Sequence, residues 1–253
     1  MTQSGELVSI ITPAFKAARF VEDAIRSVLE QDYPHWEMLV VDDCSPDDTC
    51  ERVAAWSSRD SRVKLIRQTQ NGGPYAARNA ALANSRGRYV AFLDSDDFWL
   101  SGKLSRQLQF MRATRAALSF TEFRRVSEDG SRIGRRLKVP STLTYEELLG
   151  NTAIATSTVI VDREITGPFQ MRKAYYDDFA LWLELLRRGH VAHGLKDDLM
   201  RYRVVGRSVS RNKGRSAWNV WRTYREIEGL GVPRAAWCLL NYGVRGWLKY
   251  GRF

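Results

Sequence analysis

Up to residue 100 the apolar positions follow two periods, short runs of β-formers and longer stretches where they recur every three or four residues. The runs LVSIITP (7–13), EMLVVDD (37–43), RVKLIRQ (62–68) and RYVAFLD (88–94) predict strands. Between them, FVEDAIRSVLEQ (20–31) puts Val21, Ile25, Val28 and Leu29 on one helical face. PDDTCERVAAWSSR (46–59) predicts a helix opened by Pro46 and acidic first-turn residues, and 74–85 predicts a third. Strands separated by helices in this way predict an α/β fold, a parallel sheet covered on both faces with ligands at the carboxyl ends of its strands.

Beyond Lys103 the pattern changes. It predicts a helix over 103–113, a hairpin around SEDGS (127–131), a short helix over 144–149 and a strand over 157–162. FALWLELLRRG (179–189) predicts an amphipathic helix closed by Gly189. No Pro/Gly/Ser-rich linker, repeat or low-complexity run divides the chain, so one domain is expected over 1–213, with halves 1–100 and 101–213. A basic helical extension follows over 214–253. In RAAWCLLNYGVRGWLKYGRF (234–253), Leu240, Val244, Trp247 and Leu248 share one helical face. Arg245, Lys249 and Arg252 lie largely off it, and Trp237, Tyr242 and Tyr250 add aromatics.

Composition sharpens this reading. An apolar share of 44% with eight Trp suffices for a folded core. No stretch nears the ~18 uninterrupted apolar residues of a spanning helix, and MTQSGELVSI lacks the build of a signal peptide, so a cytoplasmic protein is expected. Cys44, Cys50 and Cys238 show no paired framework and no metal-ligand spacing, as expected of reduced thiols. The net charge of +10 is unevenly placed: residues 1–100 carry −4, residues 101–200 carry +4 and residues 201–253 carry +10. A basic tail points to an anionic partner.

Two acidic clusters fall at predicted strand ends, Asp42 and Asp43 in VVDDCSPDD, and Asp94, Asp96 and Asp97 in FLDSDD. Asp47 and Asp48 read as caps and turn formers. Three acids ending an apolar strand gain little from capping, and such crowding calls for a cation between them. The first strand–helix turn, TPAFKAARF, carries no glycine fingerprint for a pyrophosphate. Mg²⁺ or Mn²⁺ on one or two carboxylates would neutralise a nucleotide's phosphates instead.

The set VSIITPAFK (8–16), SVLEQDYPHWEMLVVDDCSPDDT (27–49), NGGPYAARNAAL (71–82), GRYVAFLDSDDFW (87–99), YYDDFALWLELLRRG (175–189) and YRVVGRSVSRNK (202–213) resembles family 2 glycosyltransferases of the GT-A fold. The resemblance implies an inverting, metal-dependent transfer of a sugar from a nucleotide diphosphate donor, most often of uridine, to a saccharide or lipid-linked acceptor. It makes 1–100 the nucleotide-binding half and 101–213 the acceptor half, and suggests a role in bacterial cell-surface polysaccharide or lipopolysaccharide assembly. By position, Pro13, Ala14 and Phe15 would line the nucleotide pocket and Asp43 would bind the base. Asp94 would contact the ribose or sugar. Asp96 would bind Mn²⁺ or Mg²⁺, with Asp97 as the second candidate ligand. Arg78 would brace these carboxylates or touch the nucleotide. Asp178, preceded by Asp177 where the family usually has Glu, would be the general base. Arg203, Arg207 and Ser208 would cover the diphosphate on a loop, and the His that many relatives carry near Val205 or Gly206 is missing.

A nucleic-acid-binding protein would explain the charge but not the acidic strand ends, since carboxylates repel phosphate backbones. A nucleotidyltransferase would usually show a glycine-rich phosphate loop, which TPAFKAARF lacks. The tail's apolar stripe predicts either peripheral docking on an anionic membrane surface, on the inner face of the cytoplasmic membrane, or packing on the domain or a homodimer partner. Its charge and aromatics favour the membrane.

Overall fold

A computed structural model describes residues 6–206 and 213–250, without the side chains of Lys213 and 248–250. Arg207 and Ser208 therefore lie outside the described residues, as do Arg252 and the side chains of Leu248, Lys249 and Tyr250.

The first part alternates β1 (Val8–Ala14), α1 (Val21–Leu29), β2 (Trp36–Asp42), α2 (Thr49–Ser57), β3 (Val63–Arg67), α3 (Pro74–Asn84) and β4 (Tyr89–Phe92). These strands stand in the order β3-β2-β1-β4, all parallel. One expectation is corrected here: α2 starts at Thr49, not at Pro46. Asp47 forms the turn before it, accepting from the Thr49 amide at 3.3 Å and its hydroxyl at 2.5 Å, while Asp48, at the N-cap, makes no capping bond with its side chain.

After β5 (Phe98–Trp99) and α4 (Lys103–Thr114) come β6 (Leu118–Ser127), β7 (Ile133–Leu137), β8 (Thr142–Leu143), α5 (Tyr145–Leu149), a 3₁₀ turn (Thr156–Thr158), β9 (Ile160–Asp162), α6 (Arg163–Thr166), α7 (Asp177–Arg187) and β10 (Ala192–Val204). The sheet continues from β4 through β9, β6 and β10 to β5. Strand β9 runs antiparallel to both β4 and β6, which leaves β6 and β10 pointing the same way as β1 to β4. The sheet is thus mixed, but the carboxyl ends of β1, β2, β4, β6 and β10 gather along one edge. Strand β10 was not legible as a strand, because its second half, KDDLMRYRV, is bulged where it passes Asp198. Gly194 in it allows a close crossing: a Cβ there would stand 2.0 Å from the Pro140 carbonyl oxygen.

Strict alternation on the inner strands buries both faces of the sheet. Val8 and Ile10 of β1 with Met38 and Val40 of β2 join a core beneath α1, α2 and α4. Ile11, Leu39 and Val41 point the other way into a core shared with α3, α5 and α7. The second core also takes Val220 of α8 (Lys213–Arg222), Tyr224 of a π turn (Thr223–Ile227) and Ala235 and Cys238 of α9 (Val232–Tyr250).

Candidate active site

The strand-end edge collects the acids read from the sequence. Strand β1 stops at Ala14, leaving Pro13 partly covered, Ala14 buried and Phe15 at the surface. Asp43 follows β2, with its amide donating to the Ala14 carbonyl at 2.8 Å. Its buried carboxylate accepts from the amides of Gly72 and Gly73, at 2.8 Å each. Asp43 therefore holds the loop that opens α3, where Gly73 turns with a φ of 82°.

After β4, the segment 94–97 forms a turn closed by the Asp97 amide donating to the Asp94 carbonyl at 3.1 Å. Its three carboxylates meet different fates. Asp94 accepts from Arg78 Nη2 at 2.6 Å. Asp97 is buried, and both of its oxygens are committed: Ser157 Oγ donates at 2.6 Å and the Arg203 amide at 2.9 Å. Burial and the neighbouring Asp96 and Asp94 push its carboxyl well above the usual range. Asp96 stays partly exposed, and burial together with Asp94 raises it to about 6.

Arg78, on the second turn of α3, is the hub. While its Nη2 holds Asp94, its Nη1 donates to both oxygens of Asp177 on the first turn of α7, at 2.9 and 2.8 Å. Burial alone would lower this guanidinium, but Asp94, Asp177 and Asp178 raise it, so it stays charged. Burial pushes Asp177 upward, and Arg78 opposes that shift. Asp178 points elsewhere. It is partly exposed and accepts from the Thr156 hydroxyl and, at 2.7 Å, from the Phe179 amide.

The 3₁₀ turn Thr156–Thr158 joins these groups, and sequence reasoning missed it. Thr156 serves Asp178. Ser157 serves Asp97 through its hydroxyl hydrogen, accepts from the Asp94 amide at 3.0 Å, and receives Trp99 Nε1 on its carbonyl at 2.7 Å. The sequence places Ser157 and Thr158 in a strand over 157–162, and this is corrected: β9 starts only at Ile160, and the preceding TST forms the turn. Arg203 also differs from expectation. It sits on β10, buried, with Nε donating to the Asp96 carbonyl at 2.9 Å and Nη2 to Asp23 at 2.8 Å, so it fixes the acidic turn and is no part of a covering loop. The β10 backbone pairs with β6 from Ala192 to Val204, which holds this residue in place.

The donor set can accept a hard cation. Among the described residues no side chain bonds the Asp96 carboxyl, which takes its own amide, and a second carboxylate, Asp94, crowds it. Among the described residues no group of three or more His, Cys, Asp or Glu could hold a metal, so further oxygens would have to come from a substrate. The edge thus brings together carboxylates able to share a cation with phosphates and, across Arg78, a partly exposed carboxylate able to take a proton.

Comparison with known proteins gives the family and the fold. The profile of glycosyl transferase family 2 matches residues 9–178. TuaG of Bacillus subtilis (strain 168), named for teichuronic acid biosynthesis, is 44% identical over 243 residues, covering 96% of each chain. The Escherichia coli UDP-Glc:alpha-D-GlcNAc-diphosphoundecaprenol beta-1,3-glucosyltransferase WfgD is 35% identical over 245 residues, covering 96% of this chain and 95% of its own. In fold, S. aureus TarS 1-349 in complex with UDP-GlcNAc superposes with a TM-score of 0.74 at 18% identity, over 96% of this chain and 73% of that one. A Pyrobaculum calidifontis mannosyltransferase in complex with GDP-Man and Mn²⁺ gives 0.69 at 19% identity, over 97% and 76%.

Proposed function

The chain belongs to glycosyl transferase family 2 and is a glycosyltransferase; from that premise we propose that it transfers a sugar, with inversion, from a UDP-sugar to a hydroxyl of a lipid-linked saccharide in the assembly of a bacterial cell-surface polysaccharide. The observation that carries the site assignment is the Arg78 bridge, which holds the donor-side Asp94 and Asp177, the chain neighbour of the acceptor-side Asp178, on one guanidinium.

Pro13, Ala14 and Phe15 line the nucleotide pocket. Asp43 shapes that pocket through the Gly72–Gly73 loop, with the base against it. Asp94 turns its free oxygen to the ribose or sugar. Asp96 is the principal holder of Mn²⁺ or Mg²⁺, because both oxygens of Asp97 are already committed inside the fold. The metal, when bound, stabilises the negative charge of the departing diphosphate. Asp178 takes the proton of the acceptor hydroxyl, whose oxygen attacks the anomeric carbon from the face opposite the nucleotide. The bond from that carbon to the diphosphate oxygen breaks, and the nucleoside diphosphate leaves with its electron pair.

This reading draws its donor from the UDP-sugar named for WfgD and the UDP-GlcNAc bound by TarS. Its acceptor class comes from the diphosphoundecaprenol-linked sugar named for WfgD. Such an acceptor requires work at a membrane face, and peripheral attachment there is part of the proposal. The test is a panel of UDP-, GDP- and TDP-sugars with Mn²⁺ and a polyprenyl-diphosphate-linked GlcNAc, reading the lipid product by mass. A product formed only from a non-uridine donor would overturn the nucleotide assignment, and transfer only to lipid-free saccharides would overturn the acceptor class.

A further inference from the structure

Helix α9 has two apolar faces, and the fold uses one. Ala235 and Cys238 are buried against the domain, and Tyr242 meets Phe179 edge-on with ring centres 5.8 Å apart. Tyr242, counted from sequence among the aromatics that favour a membrane, is thus turned to the domain instead. The opposite face carries Trp237, Leu240, Val244 and Trp247, which are 66, 60, 51 and 69% exposed, and Trp218 on the preceding helix α8 is 61% exposed. An apolar groove of about 760 Å³ is lined by Trp221 of α8 and by Leu239, Leu240, Val244 and Trp247 of α9, and it shares no residue with the acidic site.

Large apolar side chains left to water together on one helical face mark a contact site. Among the described residues no helix is long and apolar enough to cross a membrane. An amphipathic helix with Trp on its free face and cations at its margin suits the boundary between head groups and acyl chains, where an indole ring meets both phases. Arg245 follows Val244 about 100° round the helix and is exposed. From the start of α8, residues 213–253 hold eight Lys and Arg against two Glu. That charge also decides between occupants. A second copy docked face to face would bring two such tails together, whereas an anionic lipid surface neutralises one.

We propose that the exposed face of α9, with Trp218 of α8, docks flat on an anionic phospholipid surface and makes the protein peripheral to the membrane. Because Tyr242 on the inner face rests on Phe179, the neighbour of Asp178, docking fixes the height of the site above the lipid. The proposal adds the surface and its residues to the membrane attachment above, and its readout needs no turnover, so it can fail while the transfer reaction stands.

The test uses the full chain with vesicles of phosphatidylglycerol and phosphatidylcholine, and with phosphatidylcholine alone. Pelleting is expected with the anionic vesicles at low salt and is lost with phosphatidylcholine alone or at high salt. Trp237→Gln with Trp247→Gln should lower the bound fraction about tenfold or more, since two large side chains then leave the lipid. Both positions are exposed, so circular dichroism and UDP binding should not change. No pelleting with anionic vesicles, or pelleting undiminished in the double variant, would overturn the proposal. So would light scattering that shows a dimer in the parent and a monomer in the double variant, because the face would then belong to a second copy.

Discussion

Arg78 Nη1 donates to both carboxylate oxygens of Asp177, at 2.9 and 2.8 Å, and both residues are buried. This pair joins α3 to α7 and is the reason the two acidic motifs, 80 residues apart in the chain, face one crevice. Replacing Arg78 by Met would leave Asp177 charged and uncompensated in the interior, a loss of about 3–5 kcal/mol. The denaturant midpoint should fall accordingly, and Asp177→Asn in the same chain should restore part of it. A fall of less than about 1 kcal/mol, the scale of a solvated pair, would show that the bridge does not hold the helices together.

The general base is tested by paired substitutions. Asp178→Asn keeps the shape and removes the basicity, so transfer should drop by about 10²- to 10⁴-fold while UDP-sugar binding, followed by calorimetry, stays near the parent value. Thr156→Val removes the hydroxyl that orients Asp178, and a smaller fall, up to about 10²-fold and confined to kcat, is expected, with Thr156→Ser restoring it. Asp177→Asn should act mainly on stability. A crippled Asp177→Asn beside a normal Asp178→Asn would move the base by one residue.

For the metal, Asp96→Ala should abolish EDTA-sensitive turnover and weaken Mn²⁺ binding measured by electron paramagnetic resonance, leaving the unfolding midpoint unchanged or raised, since a crowded carboxylate has gone. Asp97→Ala should instead lower the midpoint, because the Ser157 hydroxyl and the Arg203 amide lose their acceptor. Turnover that survives EDTA would sink metal dependence. Equal Mn²⁺ loss in both variants would make Asp97 a ligand as well.

The first hundred residues were legible because their strands are buried on both faces and their helices carry one apolar stripe, so period alone separates them. The acids were legible for a related reason: Asp94, Asp96 and Asp97 stand where an apolar run stops. What escaped was whatever depends on a partner distant in sequence. Strand β10 is bulged and polar, and only its pairing with β6 makes it a strand. Ser157 is an ordinary serine until the fold sets it between Asp94 and Asp97. Sequence gave Arg203 the look of a surface cation, whereas its four hydrogen bonds reach Asp97, Asp96, Glu128 and Asp23.

Lys103 was equally invisible, and it supports a test of stability alone. It opens α4, is fully buried, and its Nζ has no hydrogen-bond partner among the described residues, lying 3.8 Å from the centre of the Trp99 ring. Burial pushes the amine well below the usual lysine value. In the unfolded chain the amine keeps its proton up to about pH 10.4. Between the lowered folded value and that limit the unfolded state binds more protons, so stability rises with pH, by at most about 1.4 kcal/mol per pH unit. Below the folded value both states are protonated and the penalty is at its full size. Lys103→Met keeps the stem, and its contact with Trp99, but carries no amine. The variant should therefore be more stable near neutral pH, by about 1–3 kcal/mol, and its lead should shrink as pH climbs toward about 10. Urea melts of parent and variant across that range read the difference directly. Parallel curves would mean that the amine is as well solvated in the fold as outside it, and a variant less stable at every pH would make the contact between the ammonium and the Trp99 ring the larger effect.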